Sequence, residues 1–362
     1  MKHRLDCDIL VVGAGPAGSS TAITAATEGI RVLVAERRKT IGVPVRCAGY
    51  IPRPLLAALP FRDRSFVLQS VKAMRTVLPD GSVKDPRTPG AIIRRDRFDQ
   101  LLAESARKEG AKVHTRLRVV GKKGEDILLK DARGDVFRTQ PLVIVGADGP
   151  HSAVGRWMGR RPPRLIPGIQ VRVPLAVPMD HTEVYFHPRI FGAYGWVFPR
   201  GKEANVGLAL AGGEGFPRSL KPTLDWFMSR IADKGKIKPK GGRLTFGWIP
   251  VAPRHCIVEE NMLLAGDAAG HTHPITGAGV AHAMLAGRLA GKWAAEAVRT
   301  GDVSVLRGYG EALEEELGET LDRATRRRWL LETQWERLSE VLPRCWTGFR
   351  AYYRDDQEGV GR

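Results

Sequence analysis

Six residues near the amino terminus, Gly13-Ala14-Gly15-Pro16-Ala17-Gly18, have the spacing that cradles a pyrophosphate, and Glu36 and Arg37 follow one strand later. In such a turn the first glycine makes the tight bend, the second lets the backbone approach the phosphates, and the third lets the helix close on the strand. The phosphates then sit at the positive end of the helix, and the Glu36 carboxylate can accept the ribose hydroxyls. The chemistry is dinucleotide binding. The motif alone does not separate NAD from FAD.

Further groups carry polar or aromatic side chains in patterned positions. Arg95 and Phe98-Asp99 open a helix, Gly146-Ala147-Asp148-Gly149 is followed by Ser152 and Arg156, and Leu264-Ala265-Gly266-Asp267-Ala268-Ala269 is followed by Pro274 and Gly277-Ala278-Gly279. Taken singly, Asp267 is equally a helix N-cap, Asp148 a turn aspartate and Arg95 a surface arginine. Pro44-Val45-Arg46-Cys47-Ala48-Gly49 forms a loop soon after the ribose contact, placed to pass over the cofactor; Cys47 is otherwise a small buried residue. Tyr194, Trp196 and Phe198 alternate along one strand and so share a face. That face is either a wall for an apolar substrate or ordinary sheet packing. His271 and His273 could donate protons, but core and solvent-facing histidines are commoner, and they are not counted among the catalytic residues.

The elements that must position these groups can be read from the pattern. The run 8–12, a helix from Pro16 to Glu28 and a strand from Arg31 to Ala35 make a βαβ unit. Alternating segments near 66–84 suggest hairpin strands, and 96–109 has helical apolar spacing closed by Gly110. Residues 116–139 suggest a small meander, and 142–145 a buried strand. From about Gly168 to Pro250, strand-length runs separated by Gly and Pro, with a helix near Thr223–Ala232, predict an antiparallel sheet. A buried strand at 262–265 and an Ala-rich helix from Gly279 to Thr300 return to the nucleotide domain. Residues 326–353 predict an amphipathic helix broken near Pro343, with Leu331, Trp335, Leu338, Leu342, Trp346, Phe349 and Tyr353 on its apolar side. It either lies on an anionic membrane surface or caps the protein's own second domain.

At 362 residues the chain exceeds the usual size of one core, so two interlocked domains are expected. Hydrophobic residues at 43% and charged residues at 27% are those of an ordinary globular protein. Lys plus Arg number 57 against 39 Asp plus Glu, a net charge of +18 able to steer an anionic lipid surface or an acidic electron-transfer protein. Nucleic acid is not expected, because no long basic run and no nucleic-acid motif occurs. The cysteines, Cys7, Cys47, Cys256 and Cys345, form no CxxC pair, so neither a zinc site nor a disulfide framework is suggested. No stretch has the roughly 18 apolar residues of a membrane span, and the first strand leaves no room for a signal peptide. A cytoplasmic monomer, peripheral to a membrane at most, is the expectation.

With these motifs in order, the chain resembles the glutathione-reductase-like FAD superfamily, in the branch shaped like p-hydroxybenzoate hydroxylase. Within it the chain is most similar to the geranylgeranyl reductase family, on two segments: 44–49 against a PxxC(G/A)G-like loop, and Tyr194-Gly195-Trp196-Val197-Phe198-Pro199 against a YxWxFP strand. It departs at Cys47-Ala48-Gly49-Tyr50, where archaeal members often show Cys-Gly-Glu, a difference that bears on substrate more than on reaction class.

The resemblance implies an α/β fold: a Rossmann-type FAD domain (1–65, 90–160 and 255–325), an inserted antiparallel-sheet substrate domain (66–89 and 161–254) and a helical segment (326–362). It implies FAD held by Gly13, Gly15, Ala17, Gly18, Glu36 and Arg37 at the adenosine and pyrophosphate, with Arg46, Cys47, Ala48, Arg95, Asp148, Gly149 and Gly266 along its length. Asp267 would take the ribityl hydroxyls, and Pro274 with Gly277, Ala278 and Gly279 would face the flavin pyrimidine. Cys47, Tyr194 and Trp196 are then catalytic candidates, and Tyr194, Trp196 and Phe198 substrate contacts. The implied reaction saturates isolated C=C bonds of a prenyl chain on a lipid, quinone or pigment, with a hydride from reduced flavin N5 and a proton. No second glycine fingerprint is present, so NAD(P)H or a ferredoxin-like carrier must come to the flavin itself. The alternatives on the same fold are a monooxygenase or halogenase and a flavoprotein that only carries lipid. Hydroxylases usually continue GDAAH and PxxGQG, where this chain has Gly270 and Gly277-Ala278-Gly279, and halogenases show WxWxIP where this chain begins with Tyr194.

Overall fold

The computed structural model describes residues 3–212, 220–238 and 241–354. The strand β1 (Ile9–Val12) is buried at all four positions, the signature of a parallel strand covered on both faces. It lies inside a six-stranded sheet, ordered Val258–Glu259, Met262–Leu264, Val143–Gly146, β1, β2 (Val32–Glu36) and Lys112–Thr115. Every pairing is parallel except the one between the first two strands. Gly13, at φ +101°, turns the chain out of β1 into α1 (Pro16–Thr27), whose first residue is the proline that suits a helix start. The helix α2 (Arg95–Lys108) buries Phe98, Leu101, Leu102 and Ala106, the spacing read in the sequence. The meander is present, Arg118–Lys123, Asp126–Lys130 and Val136–Thr139, and gains a fourth strand at His3–Arg4.

A seven-stranded sheet follows. It is built on β3 (Leu165–Pro174), β4 (Gly195–Arg200) and β5 (Glu203–Ala209), and the helix α3 (Leu220–Asp233) comes next in the chain, before β6 (Leu244–Pro250). The order is β6, β3, β5, β4, Thr182–Tyr185, Met74–Val77 and Val83–Lys84. On one face α3 lays Leu224, Phe227 and Ile231 against Val197 and Leu208; the other face looks toward the nucleotide domain. β3 is longer than its apolar run because it continues through Pro167 and Gly168, where the missing Cβ leaves room for Ile249 and Trp196. The stretch near 66–84 divides: Val67–Val71 joins Tyr50–Pro52 and Gly90–Ile93 in a three-stranded sheet, and the rest pairs with the larger one.

The helix α4 (Val280–Thr300) lies on α1 at very short range. A Cβ at Gly287 would stand 2.2 Å from the Ala17 carbonyl, and one at Gly291 would stand 2.6 Å from that of Thr21. After α5 (Arg307–Leu313) a π-helical turn, Glu314–Gly318, leads into α6 (Glu319–Thr333). Such a turn inserts a residue and rotates the helix face. Leu313, Leu317 and Leu321 therefore point into the nucleotide-domain core, whereas Ala324 and Leu331 point into the core under the seven-stranded sheet.

The last helix, α7 (Leu338–Cys345), continues that second core. Leu331, Trp335, Leu338, Leu342 and Trp346 are all buried there and Phe349 is partly so, leaving Tyr353 exposed. The apolar stripe read in 326–353 thus covers the protein's own sheet. The break falls at Gln334, between α6 and a 3-10 turn, and Pro343 sits inside α7. At that position proline forfeits the bond to the Ser339 carbonyl and its ring crowds that oxygen, and the helix persists with Leu338, Val341 and Leu342 buried around it. Among the described residues no helix is long and apolar enough to cross a membrane.

Candidate active site

At the pyrophosphate turn each glycine has a separate steric reason. A Cβ on Gly13 would meet the Ala147 carbonyl at 2.4 Å, and one on Gly18 would meet the Gly13 carbonyl at 1.9 Å. At Gly15 nothing stands within 4 Å, so the backbone there is open to a ligand. Gly15 is also the N-cap of α1, which has no side-chain cap and no acidic residue in its first turn. Its N–H groups and dipole are therefore left for an anion. Glu36, at the tip of β2, accepts hydrogen bonds from the Ala14 N–H at 3.0 Å and the Arg38 N–H at 2.8 Å, which ties the turn to the carboxylate. Arg37 is exposed beside it, and the Ala17 side chain packs where Gly266, at φ +65°, leaves space.

Two half-buried aspartates continue the line. Asp148 accepts from the Ala153 N–H at 2.6 Å through one oxygen, and its other oxygen, Oδ1, is buried without a partner. Burial pushes this carboxyl above its ordinary range, partly opposed by hydrogen bonds from Ser152 and Ala153. Gly149 follows at φ +87° with open space around it. Asp267 accepts from the Thr272 hydroxyl at 2.9 Å; burial pushes its carboxyl up, while Thr272 and the Arg95 charge pull it back. Arg95 is no surface arginine: its side chain is only 16% exposed and pairs with Asp99 at 3.0 Å, with the Cys47 side chain in its neighbourhood. Burial alone would lower the guanidinium, but Asp99 and Cys47 outweigh it and hold Arg95 above its ordinary value.

The loop from His273 to Gly279 ends at the start of α4, whose N-cap Gly279 has no side-chain cap. This loop is tightly knit. The His273 N–H donates to the Ala278 carbonyl, and the Gly277 N–H donates back to the His273 carbonyl. His273 Nδ1 accepts from the N–H groups of Ile275 and Thr276, and Nε2 faces the Tyr352 hydroxyl at 3.2 Å. His271 is buried beside it with Nδ1 unpartnered. Burial, with the nearby His282 charge, pushes His271 down to about 3 and His273 down to about 4. Both are neutral struts near pH 7.

The seven-stranded sheet meets these groups through polar rungs. Tyr194, Trp196 and Phe198 share the face opposite α3, with rings of Tyr194 and Trp196 6.2 Å apart and Tyr194 5.3 Å from Trp346. Trp196 donates to the Gln170 side chain, which donates in turn to the Cys47 carbonyl at 3.3 Å. Asn205 donates to the Ala48 carbonyl at 2.9 Å, Arg46 lies over Gly247, and Phe198 meets Tyr50 edge-on. The Tyr194 hydroxyl donates to the Thr276 carbonyl at 2.5 Å. The Cys47 loop, the 273–279 loop and the aromatic face are thereby brought together.

Three residues of this arrangement have no motif. Gln170 and Asn205 leave a weak signal, a lone amide at a strand position facing inward; Arg328, buried in α6, leaves none. The residues present fit FAD, with an open, uncapped pyrophosphate turn, an orphaned carboxylate oxygen at Asp148 and a half-buried, desolvated carboxylate at Asp267.

Residues 6–55 match the family described as FAD binding domain. A digeranylgeranylglycerophospholipid reductase of Methanosarcina acetivorans is 36% identical over 316 residues, 82% of this chain and 77% of its own. The chain belongs to the digeranylgeranylglycerophospholipid reductase family. A solved structure of a geranylgeranyl bacteriochlorophyll reductase-like protein from Thermoplasma acidophilum is 28% identical, with a TM-score of 0.82 over 92% of this chain and 90% of its own. A triple mutant of a flavin-dependent brominase, 17% identical with a TM-score of 0.73 over 95% and 96%, shares the reductase fold alone. FAD is the cofactor of this reductase family member.

Proposed function

We propose that this chain is an FAD-dependent reductase that saturates isolated C=C bonds in the prenyl chains of a phospholipid. The observation that carries it is the Tyr194–Thr276 tie, which sets an aromatic, buried strand face against the loop that opens α4. Gly13, Gly15, Ala17, Gly18, Glu36 and Arg37 hold the adenosine and pyrophosphate, and Arg46, Ala48, Arg95, Asp148, Gly149, Gly266 and Asp267 continue along the cofactor. Pro274 and Gly277 to Gly279 lie at the flavin end, where the uncapped start of α4 favours negative charge. Bound FAD supplies the hydride once it is reduced. An isolated alkene has no electron sink, so a proton must arrive with the hydride and water must be kept from the developing cation. Tyr194, Trp196 and Phe198 make that dry wall, and Cys47, in the loop held by Gln170 and Asn205, is the residue assigned to steer the proton.

The electron donor is assigned to NAD(P)H or an acidic ferredoxin-like carrier, both anionic and so both attracted by the +18 charge. The same charge draws the protein to the anionic bilayer that holds its substrate. In an anaerobic experiment, dithionite-reduced protein mixed with vesicles of a geranylgeranyl phospholipid regains its oxidised flavin spectrum, and the lipid gains two mass units per bond reduced. Reoxidation that requires O₂ would instead indicate a monooxygenase.

A further inference from the structure

Two arginines of α6 are buried, Arg327 and Arg328, and the second has no role in the chemistry described so far. Arg328 is 3% exposed, yet α6 and α7 already dock through Leu331, Trp335, Leu338 and Leu342. Burying a guanidinium is costly unless its donors are taken up. Here Nη1 donates to the Pro274 carbonyl and Nη2 to the Gly192 carbonyl, each at 2.9 Å; Nη2 also lies 2.8 Å from Glu332 Oε1 as an ion pair without hydrogen-bond geometry, and Nε is buried without a partner. Glu332 is shared with Arg164, so one carboxylate serves two arginines. The two carbonyls belong to different walls of the site. Pro274 opens the loop that reaches Gly279, and Gly192 lies two residues before Tyr194 in a turn pressed so close that a Cβ there would stand 2.4 Å from that of Ala211.

We propose that Arg328 is a positioning residue that sets the gap between the Pro274–Gly279 loop and the Tyr194 face. This inference rests on the reading of that loop as the flavin-side wall. The forked guanidinium suits the task because its nitrogens reach two acceptors at once in a fixed plane, which a lysine ammonium does not reproduce. The Tyr194–Thr276 bond spans the same gap directly, so Arg328 forms a second, outer brace. Tyr352 adds a grip on His273 from the same C-terminal segment. An error of about 1 Å in such a gap is enough to cost on the order of a hundredfold in rate.

The test compares FAD-loaded Arg328→Gln, Arg328→Lys, Arg328→Ala and unaltered protein. In anaerobic single turnovers of reduced flavin with geranylgeranyl phospholipid vesicles, the rate constant is expected to fall by roughly 30-fold or more in Arg328→Gln and by less in Arg328→Lys, against that hundredfold ceiling. FAD affinity should change by less than about threefold, since no Arg328 atom is proposed to touch the cofactor. Added guanidinium should restore part of the rate in Arg328→Ala. Hydrogen exchange at the amides of Ile275, Thr276 and Gly277 should accelerate in Arg328→Gln while that in α1 does not. A variant that loses only amplitude or melting temperature, with the unaltered rate constant in its folded fraction, would overturn the proposal. Unaltered protein that fails to turn over prenyl lipid sinks the functional reading instead; the exchange rates at 275–277 then decide the brace by themselves, and unchanged exchange there refutes it. If Arg328→Gln does not fold, Arg328→Lys supplies the same comparisons.

Discussion

Gly15 and Gly18 occupy one motif for opposite reasons, and mutation separates them. Gly15→Ala meets no protein atom, so the fold should survive while FAD affinity drops by about tenfold or more, read by fluorescence titration. Gly18→Ala meets a carbonyl at 1.9 Å and should cost about 3 kcal/mol in urea unfolding. Similar losses of affinity and stability in both variants would contradict this division. The histidines make a second prediction. Burial holds His271 near 3 and His273 near 4 in the folded protein, against about 6.5 in the unfolded chain. The unfolded chain therefore binds more protons below pH 6.5, so their contribution is full above that pH and is lost as pH falls toward 4. The melting temperature should decline between pH 7 and 4.5, and the decline should be shallower in His271→Gln. The glycines and acidic residues were legible because their chemistry is local. The histidines were not, since nothing in 271–273 reveals that its rings are enclosed.

The contact between α1 and α4 joins the pyrophosphate turn to the loop that precedes α4. It depends on Gly287 and Gly291, which let the two backbones approach as no larger residue could. Gly287→Val should therefore lower both stability, by about 3 kcal/mol, and FAD retention, measured by melting and by flavin content after gel filtration. A variant that melts normally yet retains FAD would show that the helices can part without harm. Most elements were legible from apolar period and turn residues, as in α2, where Phe98, Leu101, Leu102 and Ala106 are buried as spaced. The exceptions have specific causes. β3 runs through Pro167 and Gly168 because its neighbours fill the space, and Pro343 stays helical with three buried side chains around it. The π turn at 314–318 has no local signal; it follows from two cores that one helical run must serve in turn.

At the scale of the molecule, the excess of cations makes encounter with anionic surfaces a salt-dependent event. The protein should cosediment with anionic vesicles at low ionic strength and release from them near 1 M salt, where the screening length shrinks to about 3 Å. Retention at high salt, or equal binding to zwitterionic vesicles, would count against an electrostatic contact. The sequence by itself determined the dinucleotide turn, the alternation that puts Tyr194, Trp196 and Phe198 on one face, and the order of the motifs, because all of these depend on residue type and short spacing. Only the tertiary structure decided that Arg95 is largely enclosed, that Gln170 and Asn205 hold the Cys47 loop, that the stripe in 326–353 covers the protein's own sheet, and that Arg328 bridges two walls. Those are contacts between residues far apart in the chain, and an apolar stripe or a lone arginine looks the same in sequence whichever partner it finds.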